Sequence, residues 1–421
     1  MCRRCRDCGK YSKGQGHPVC PFRLFPGAQP KRGRRRSSTS PDVAASLINY
    51  LINRRFQMTR VNAIVSVAHL LVSLQAGSSI ETFVHLPSMK NASEPLQQMA
   101  LTFSEIKSRD SRESIMFDRS TGAIEGATAR EKMLVRAFQA GARVSSAWTH
   151  RGFGVGCKML RPMLTKKVMQ VRLNGDAIFS YPFGDEYWST ILDRAYCYEK
   201  DIDVFFRNIA DCDYTFVDCG ANFGYWSTLV SSRPYGNHPS IAIEPSSNNF
   251  AVLKNNANIN GNRFTLLKTA IGEASGTARL SGCKHESMSI ACGVNDDGEE
   301  VALISLDDLM DRMNLAQCRC VVKLDVEGAE IEALKGGLRL LRTDCVVICE
   351  DHGNDRHHAV SRYVLEETPL NLFCYDPALG HYVRLLDLSP LDRIKKAVNR
   401  GYNVLATASS FWEGRILALN R

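Results

Sequence analysis

VDCGANFG, residues Val217 to Gly224, is the stretch on which the fold turns. Its first residues close an apolar run, YTFVD, that has the length and composition of a buried strand. Gly220 and Gly224 then permit a sharp strand-to-helix turn and let the backbone approach a ligand closely. The free N–H groups and positive end of the helix expected from Gly224 suit an anionic group. In an open parallel sheet such a loop lies outside the carboxyl ends of the strands, where ligands bind. A dinucleotide loop needs G-x-G-x-x-G; here Gly220-Ala221-Asn222-Phe223-Gly224 is one glycine short and differently spaced, which disfavours a nicotinamide oxidoreductase.

Outward from the loop, strands and helices alternate. Strands are expected at Tyr214–Asp218, Ser240–Glu244, Phe264–Ala270, Glu300–Ile304, Cys320–Asp325 and Cys345–Glu350, with helices from Gly224 and Ser247 and at Leu306–Met313, Ile331–Leu341 and Ala359–Glu367. Thr277–Ser281 reads as half of a hairpin. The chain closes with Asn371–Asp376, a turn at Pro377–Gly380, Tyr382–Leu386 and a last apolar strand at Tyr402–Ala408, an antiparallel addition to a parallel sheet. Upstream, a helix runs from Met133 through Arg143, two strands flank the Asn174-Gly175 turn in Met169–Asp185, and a helix is expected over Glu186–Ile209.

Charge divides the chain. Residues 1–36 hold eleven basic side chains against Asp7, a local charge of +10 that leaves −1 for the remainder of a chain whose total is +9. The body therefore lacks the broad basic surface that phosphate neutralisation needs, and a nucleic-acid substrate is disfavoured. Residues 1–57 form a basic tail rich in Arg, Gly, Pro and Ser, a composition that does not order itself. Cys5, Cys8, His17 and Cys20 have zinc-ligand types, with accidental spacing the simpler account, and initiation at Met58 or Met133 is an alternative to translating this segment. Residues 58–132 read as a poorly ordered or partly helical linker with helical stretches at Val61–Leu74 and Pro95–Ile106, residues 133–210 as a helix and hairpin lead-in, and residues 211–421 as the principal domain. Fifteen cysteines, those from Cys157 onward scattered among apolar runs, fit a reducing compartment. No apolar run is long enough to span a bilayer and no secretory signal fits, so a cytoplasmic protein is expected.

Glu244 ends the second strand about twenty residues past the glycine loop, where a carboxylate can accept both hydroxyls of a ribose. The fourth strand, VVKLDVEGAEIEALKGG at Val321–Gly337, puts Asp325, Glu327 and Glu330 within six residues of a strand end. Together with VDCGANFGYWS at Val217–Ser227, AIEP at Ala242–Pro245 and AIGEASG at Ala270–Gly276, it resembles the FkbM-type methyltransferases over about residues 170–408, with ILDRAYCYEKDIDVFF (Tyr198-Glu199 within it) similar to that family's lead-in. The resemblance implies a Rossmann-like class I methyltransferase fold, with a mostly parallel seven-stranded sheet and an antiparallel C-terminal strand. It also implies S-adenosylmethionine as methyl donor and an oxygen of a sugar, polysaccharide precursor or secondary metabolite as acceptor. Carried over by position, Asp218, Gly220, Asn222 and Gly224 would line the donor's methionine end, Glu244 its ribose, and Ala270 and Ile271 its adenine.

A hydroxyl acceptor must lose a proton, and Asp325, Glu350 and His352, at the ends of the fourth and fifth strands, are the candidates to take it. Those three also have ligand types that suit a divalent ion, although no spacing demands one. Tyr225 and Trp226 are assigned to packing. The competing view is a non-catalytic Rossmann-like module whose basic tail binds nucleic acid or an acidic partner.

Overall fold

The computed structural model describes residues 114–281, 289–290, 298–397 and 401–418. The basic tail, the Cys5, Cys8, His17 and Cys20 set and the helical stretches expected at Val61–Leu74 and Pro95–Ile106 lie outside them.

The described chain begins with a small sheet. Strand β1 (Ser114–Asp118) and the two-residue β2 (Ile124–Glu125) precede helices α1 (Ala129–Ser145) and α2 (Phe153–Leu160), and β3 (Val168–Arg172) and β4 (Ile178–Pro182) complete the order β2-β1-β3-β4. β1 lies parallel to β3, with Ile115 opposite Met169 and Phe117 opposite Val171, all four fully buried. β1 falls in the stretch expected to be a partly helical linker; five residues of alternating burial give too short a period to read from sequence. α1 begins earlier than Met133 because Thr128 and Glu131 form a capping box: the Glu131 N–H donates to Thr128 Oγ1 at 3.2 Å and the Thr128 N–H to Glu131 Oε2 at 2.8 Å.

No continuous helix spans residues 186–209. Asp185 Oδ1 accepts the N–H groups of Tyr187 and Trp188 at 3.0 and 2.7 Å and starts a single 3-10 turn, Trp188–Leu192. The regular helix α3 (Lys200–Asn208) starts only after Glu199, which sits at φ 42°.

Next come β5 (Thr215–Cys219), α4 (Tyr225–Val230), β6 (Ser240–Ile243), α5 (Ser247–Ile259), β7 (Thr265–Leu267), β8 (Ala270–Gly272), β9 (Gly276–Ser281), β10 (Ser289–Ile290), β11 (Glu299–Ser305), α6 (Leu306–Met313), β12 (Cys320–Leu324), α7 (Glu330–Lys335) and β13 (Cys345–His352). The remainder is α8 (Ala359–Glu367), β14 (Asn371–Asp376), β15 (His381–Leu385), α9 (Ser389–Ile394), β16 (Gly401–Thr407) and α10 (Ser410–Ala418).

The principal sheet has eight strands in the order β15-β14-β16-β13-β12-β5-β6-β7. β7, β6, β5, β12 and β13 run parallel, and β16 is antiparallel to both β13 and β14. This is the class I methyltransferase arrangement, with the order reversing between β5 and β12. It differs from the seven strands expected because β15 folds back on β14 as a hairpin and adds an outer edge. Two expected strands also change place. Phe264–Ala270 divides into β7, which ends the principal sheet, and β8, which joins β11 in a second sheet ordered β10-β9-β11-β8. The division falls at Lys268-Thr269, where Thr269 Oγ1 donates to the Ala302 carbonyl at 2.9 Å.

β4 is the outer strand of the small sheet, and α5 supplies what a neighbouring strand would. Asn256 accepts the Ser180 N–H at 2.7 Å and donates to the Ser180 and Phe223 carbonyls, both at 2.8 Å. One turn later Asn260 accepts the Ile178 N–H at 2.9 Å and donates back to its carbonyl at 2.6 Å. Both amides are buried, so they meet the requirement that buried backbone groups be paired. Among the described residues no helix is long and apolar enough to cross a membrane.

Candidate active site

The loop after β5 is shaped by contact with β12. Gly220 has φ 79°, and a Cβ there would lie 1.8 Å from the Asp325 carbonyl oxygen, so no other residue fits without moving the strand end. The Gly220 and Ala221 N–H groups donate to the Ile243 carbonyl at 3.0 and 2.9 Å, which ties the loop to β6 as well. The expected anion site at the helix start is filled by the protein itself. α4 has only six residues, and Asp218, 2% exposed, accepts the Ser227 N–H at 3.2 Å and hydroxyl at 2.6 Å. Asp218 thus holds the helix to the strand and does not line the cleft.

Glu244 follows β6. Its Oε2 accepts the Asn222 N–H at 2.9 Å, and its Oε1 accepts the Ser246 N–H at 2.9 Å and the Asn249 amide at 3.4 Å. Burial pushes its carboxyl up to about 7 despite these donors. A carboxylate at a strand end that is short of positive charge is suited to accept further hydrogen bonds from a diol.

Beyond the switch in strand order four carboxyl groups gather around one ammonium. Lys323, 3% exposed in the middle of β12, reaches Asp325 Oδ2 at 2.6 Å and Glu199 Oε2 at 3.9 Å. Burial alone would raise the Asp325 carboxyl, but the Lys323 charge together with hydrogen bonds from Glu350 and Lys323 outweighs it, and Asp325 stays below the usual carboxylate range. Glu350, at the end of β13, is pushed well above its ordinary value by burial and by the Asp325 charge beside it, and the two carboxyls share a hydrogen bond. Asp325 is therefore the ionised member and Glu350 the proton-bearing one. Space for Glu350 comes from across the ladder: a Cβ at Gly401 would sit 1.7 Å from Glu350 Oε1. Glu199 accepts the Trp226 indole N–H at 2.5 Å and the Asn403 amide at 3.2 Å, and burial, reinforced by Asp325 and opposed by Lys323, brings it to about 7. Asp218 is the fourth carboxyl, on β5 directly opposite Lys323 in the ladder.

Of these groups Glu199, Asp325 and Glu350 face one cleft of about 860 Å³, while Lys323 and Asp218 lie behind it. One half is lined by Gly220, Asn222, Glu244, Ala270, Ile271 and the turn Val326-Glu327; the other by Glu199, Asp325, Glu350 and an aromatic wall of Tyr187, Trp188, Tyr196 and Tyr198. The Tyr187 and Tyr198 hydroxyls pair at 2.8 Å, and Trp188 Nε1 donates to Asn222 Oδ1 at 3.3 Å, so the wall is fixed to the glycine loop. Apolar Ile243, Ile271 and Leu280 with the Glu244 carboxylate as hydrogen-bond acceptor form a surface that suits an adenosyl group.

Of the residues singled out from sequence, Gly220, Asn222, Glu244, Ala270, Ile271, Asp325 and Glu350 line the cleft; Asp218, Gly224 and His352 do not. Gly224, at φ 82°, packs under Leu253 of α5. His352 stands outside the cleft, Nδ1 3.7 Å from Glu350 Oε1. Glu330 is 1% exposed and accepts the Val326 and Gly328 N–H groups, so this acid shapes the turn. Glu199 and Lys323 were not singled out as site residues: Glu199 lies outside the alternating pattern, and a lysine inside an apolar strand shows its partners only in three dimensions. Among the described residues no group of three or more His, Cys, Asp or Glu side chains is placed to hold a metal ion.

Strand order and cleft position define a class I methyltransferase fold. Residues 218–368 match the family described as the methyltransferase FkbM domain. Among solved structures it is similar to the methyltransferase FkbM from Methylobacillus flagellatus KT (20% identity over 46% of this chain and 43% of that one, TM-score 0.30). It is also similar to a precorrin-6y C5,15-methyltransferase from Geobacter metallireducens GS-15 (13% identity, 47% and 80%, TM-score 0.26) and to P. horikoshii TYW2 in complex with MeSAdo (11% identity, 57% and 70%, TM-score 0.30). The chain thus spans less than half the length of the first of these. No curated protein matches it.

Proposed function

We propose that the protein is an S-adenosylmethionine-dependent methyltransferase that methylates a hydroxyl oxygen of a sugar, polysaccharide precursor or secondary metabolite. The observation that carries the proposal is the arrangement of one cleft, with Glu244 and the glycine loop in one half and Glu199, Asp325 and Glu350 against an aromatic wall in the other. The donor would supply an electrophilic methyl group on a sulfonium. Gly220, Asn222, Glu244, Ala270 and Ile271 would hold it, Glu244 accepting the ribose hydroxyls.

On the acceptor side the aromatic wall excludes water and offers flat faces for a ring, and the carboxyl cluster handles the hydroxyl proton. Glu199 is the best-matched base, since a carboxyl near 7 is both available as carboxylate and basic enough to take a proton at neutral pH. Asp325, held ionised by Lys323, orients the hydroxyl. Glu350 and His352, 3.7 Å apart, carry the proton toward solvent. The test is calorimetric titration with S-adenosylhomocysteine, followed by methyl transfer from labelled donor to a panel of sugars. Absence of saturable binding sinks the proposal; binding with transfer only to nitrogen or carbon acceptors sinks the oxygen assignment.

A further inference from the structure

Near neutrality of the body as a whole conceals a strongly cationic segment. Residues 128–167 hold nine Lys or Arg against one acid, Glu131, and that acid is 2% exposed and paired with Lys167 at 3.0 Å. The segment comprises α1, α2 and the turns around them.

α1 is apolar on two faces. Its buried side presents Leu134, Val135, Phe138 and Ala142, as a helix on a core should. Met133, Ala137, Ala140 and Val144 recur at i, i+4, i+7 and i+11 and therefore share a second face; all four are exposed, Met133 by 57% and Val144 by 63%. Lys132, Arg136 and Arg143, also at i, i+4 and i+11, form a cationic row beside that stripe. α2 repeats the pattern. Lys158 is its single polar residue, yet only Phe153 and Cys157 are buried, while Val155 and Met159, one turn apart, are 63% and 77% exposed. A groove of about 330 Å³ between the helices is lined by Ala137, Gly141, Val144, Gly156 and Leu160. Arg143 and Lys158 meet Asp193 and Glu186 only at 3.6 and 3.4 Å, through largely exposed side chains, so their charge remains available to a partner.

We propose that the exposed face of α1 and α2 docks on an anionic lipid bilayer. Val144, Val155 and Met159 enter the headgroup boundary, and Lys132, Arg136 and Lys158 lie along it with their alkyl stems over the apolar stripe. Charge complementarity selects an anionic surface. The aliphatic character of the stripe selects lipid over nucleic acid, which binds cationic surfaces through polar and aromatic groups. Ser146, His150 and Phe153, from the same segment, line the cleft, so a bilayer on this face lies at the cleft mouth.

The experiment is flotation of the full chain with vesicles of equal parts phosphatidylcholine and phosphatidylserine, and with phosphatidylcholine alone. The expected result is salt-sensitive binding to the mixed vesicles only, weakened at least about tenfold by the combined V144D, V155D and M159D substitutions, which leave the basic residues 1–36 intact. All three sites are exposed, so the melting temperature is expected to hold. K132E with R136E provides a second variant that leaves the apolar residues in place and is expected to abolish the salt sensitivity contributed by this face. Binding unchanged in both variants, absence of binding by the wild type, or equal loss of affinity for a single-stranded RNA would each overturn the proposal.

Discussion

Replacing Glu244 with Gln tests the donor half of the cleft through its proton. In the free protein the Glu244 carboxyl is brought to about 7 from an ordinary 4.5, a shift worth about 3 kcal/mol between its two protonation states. The sign follows from the direction. The proton-bound form is favoured in the folded chain, so the associated stability is fully present below about 4.5 and is lost as pH rises through 7. Ribose hydroxyls donate to the ionised form, so donor binding should release a proton and weaken as pH falls below 7, by about tenfold at pH 6 relative to its plateau. Glu244→Gln keeps the size, removes the ionisation and turns an amide toward N–H groups that the carboxylate accepts. At pH 8 it should bind S-adenosylhomocysteine roughly ten- to a hundredfold more weakly, the value of one to two charge-assisted hydrogen bonds, and its affinity should not vary with pH. Calorimetry in two buffers of different ionisation enthalpy reads both affinity and proton release. A wild-type affinity flat from pH 6 to 8, with Glu244→Gln binding equally tightly, would refute the assignment of this carboxylate to the donor.

Glu199→Gln should lower kcat by about a hundredfold or more and remove the acidic limb near pH 7 from the kcat profile, since activity rises as Glu199 ionises; a wild-type profile with no inflection there argues against it as the base. Gly401→Ala should displace Glu350, reducing turnover while donor affinity stays within about threefold, because the added Cβ meets the Glu350 carboxyl and not the Glu244 side; loss of donor binding instead would point to general unfolding. Lys323→Met should destabilise the fold by about 3–5 kcal/mol in urea at neutral pH, by leaving Asp325 and Glu199 buried without their cation, and less at low pH, where the acids are protonated.

Most of the order of elements from β5 to β16 was legible because buried parallel strands are continuous apolar runs: α6, capped by Ser305, and α8 and β14 occur where periodicity puts them, while the helix expected over Ile331–Leu341 stops at Lys335, before Gly336-Gly337. Glu244 and Asp325 were legible by spacing from the glycine loop. What sequence hid depends on contacts remote in the chain. β1 declares itself only against β3, the break at Thr269 only against Ala302, and Glu199 becomes a site residue only because Lys323 and Trp226 converge on it. Averaging hid the rest: a near-zero charge for residues 37–421 concealed the cationic segment at 128–167.

α5 begins beside the donor half, where Asn249 touches Glu244, and ends on the small sheet, where Asn256 and Asn260 stand in for a strand. The helix is in effect a splint set across the join between two modules. A fragment cut at residue 211, where the alternation of strands and helices begins, would remove the splinted side and leave two buried amides and the inner face of α5 open to water. The smallest folding unit is therefore expected to start near Ser114, and chain-shortening should register at the far end of the splint as weaker donor binding, although no donor contact has been cut away.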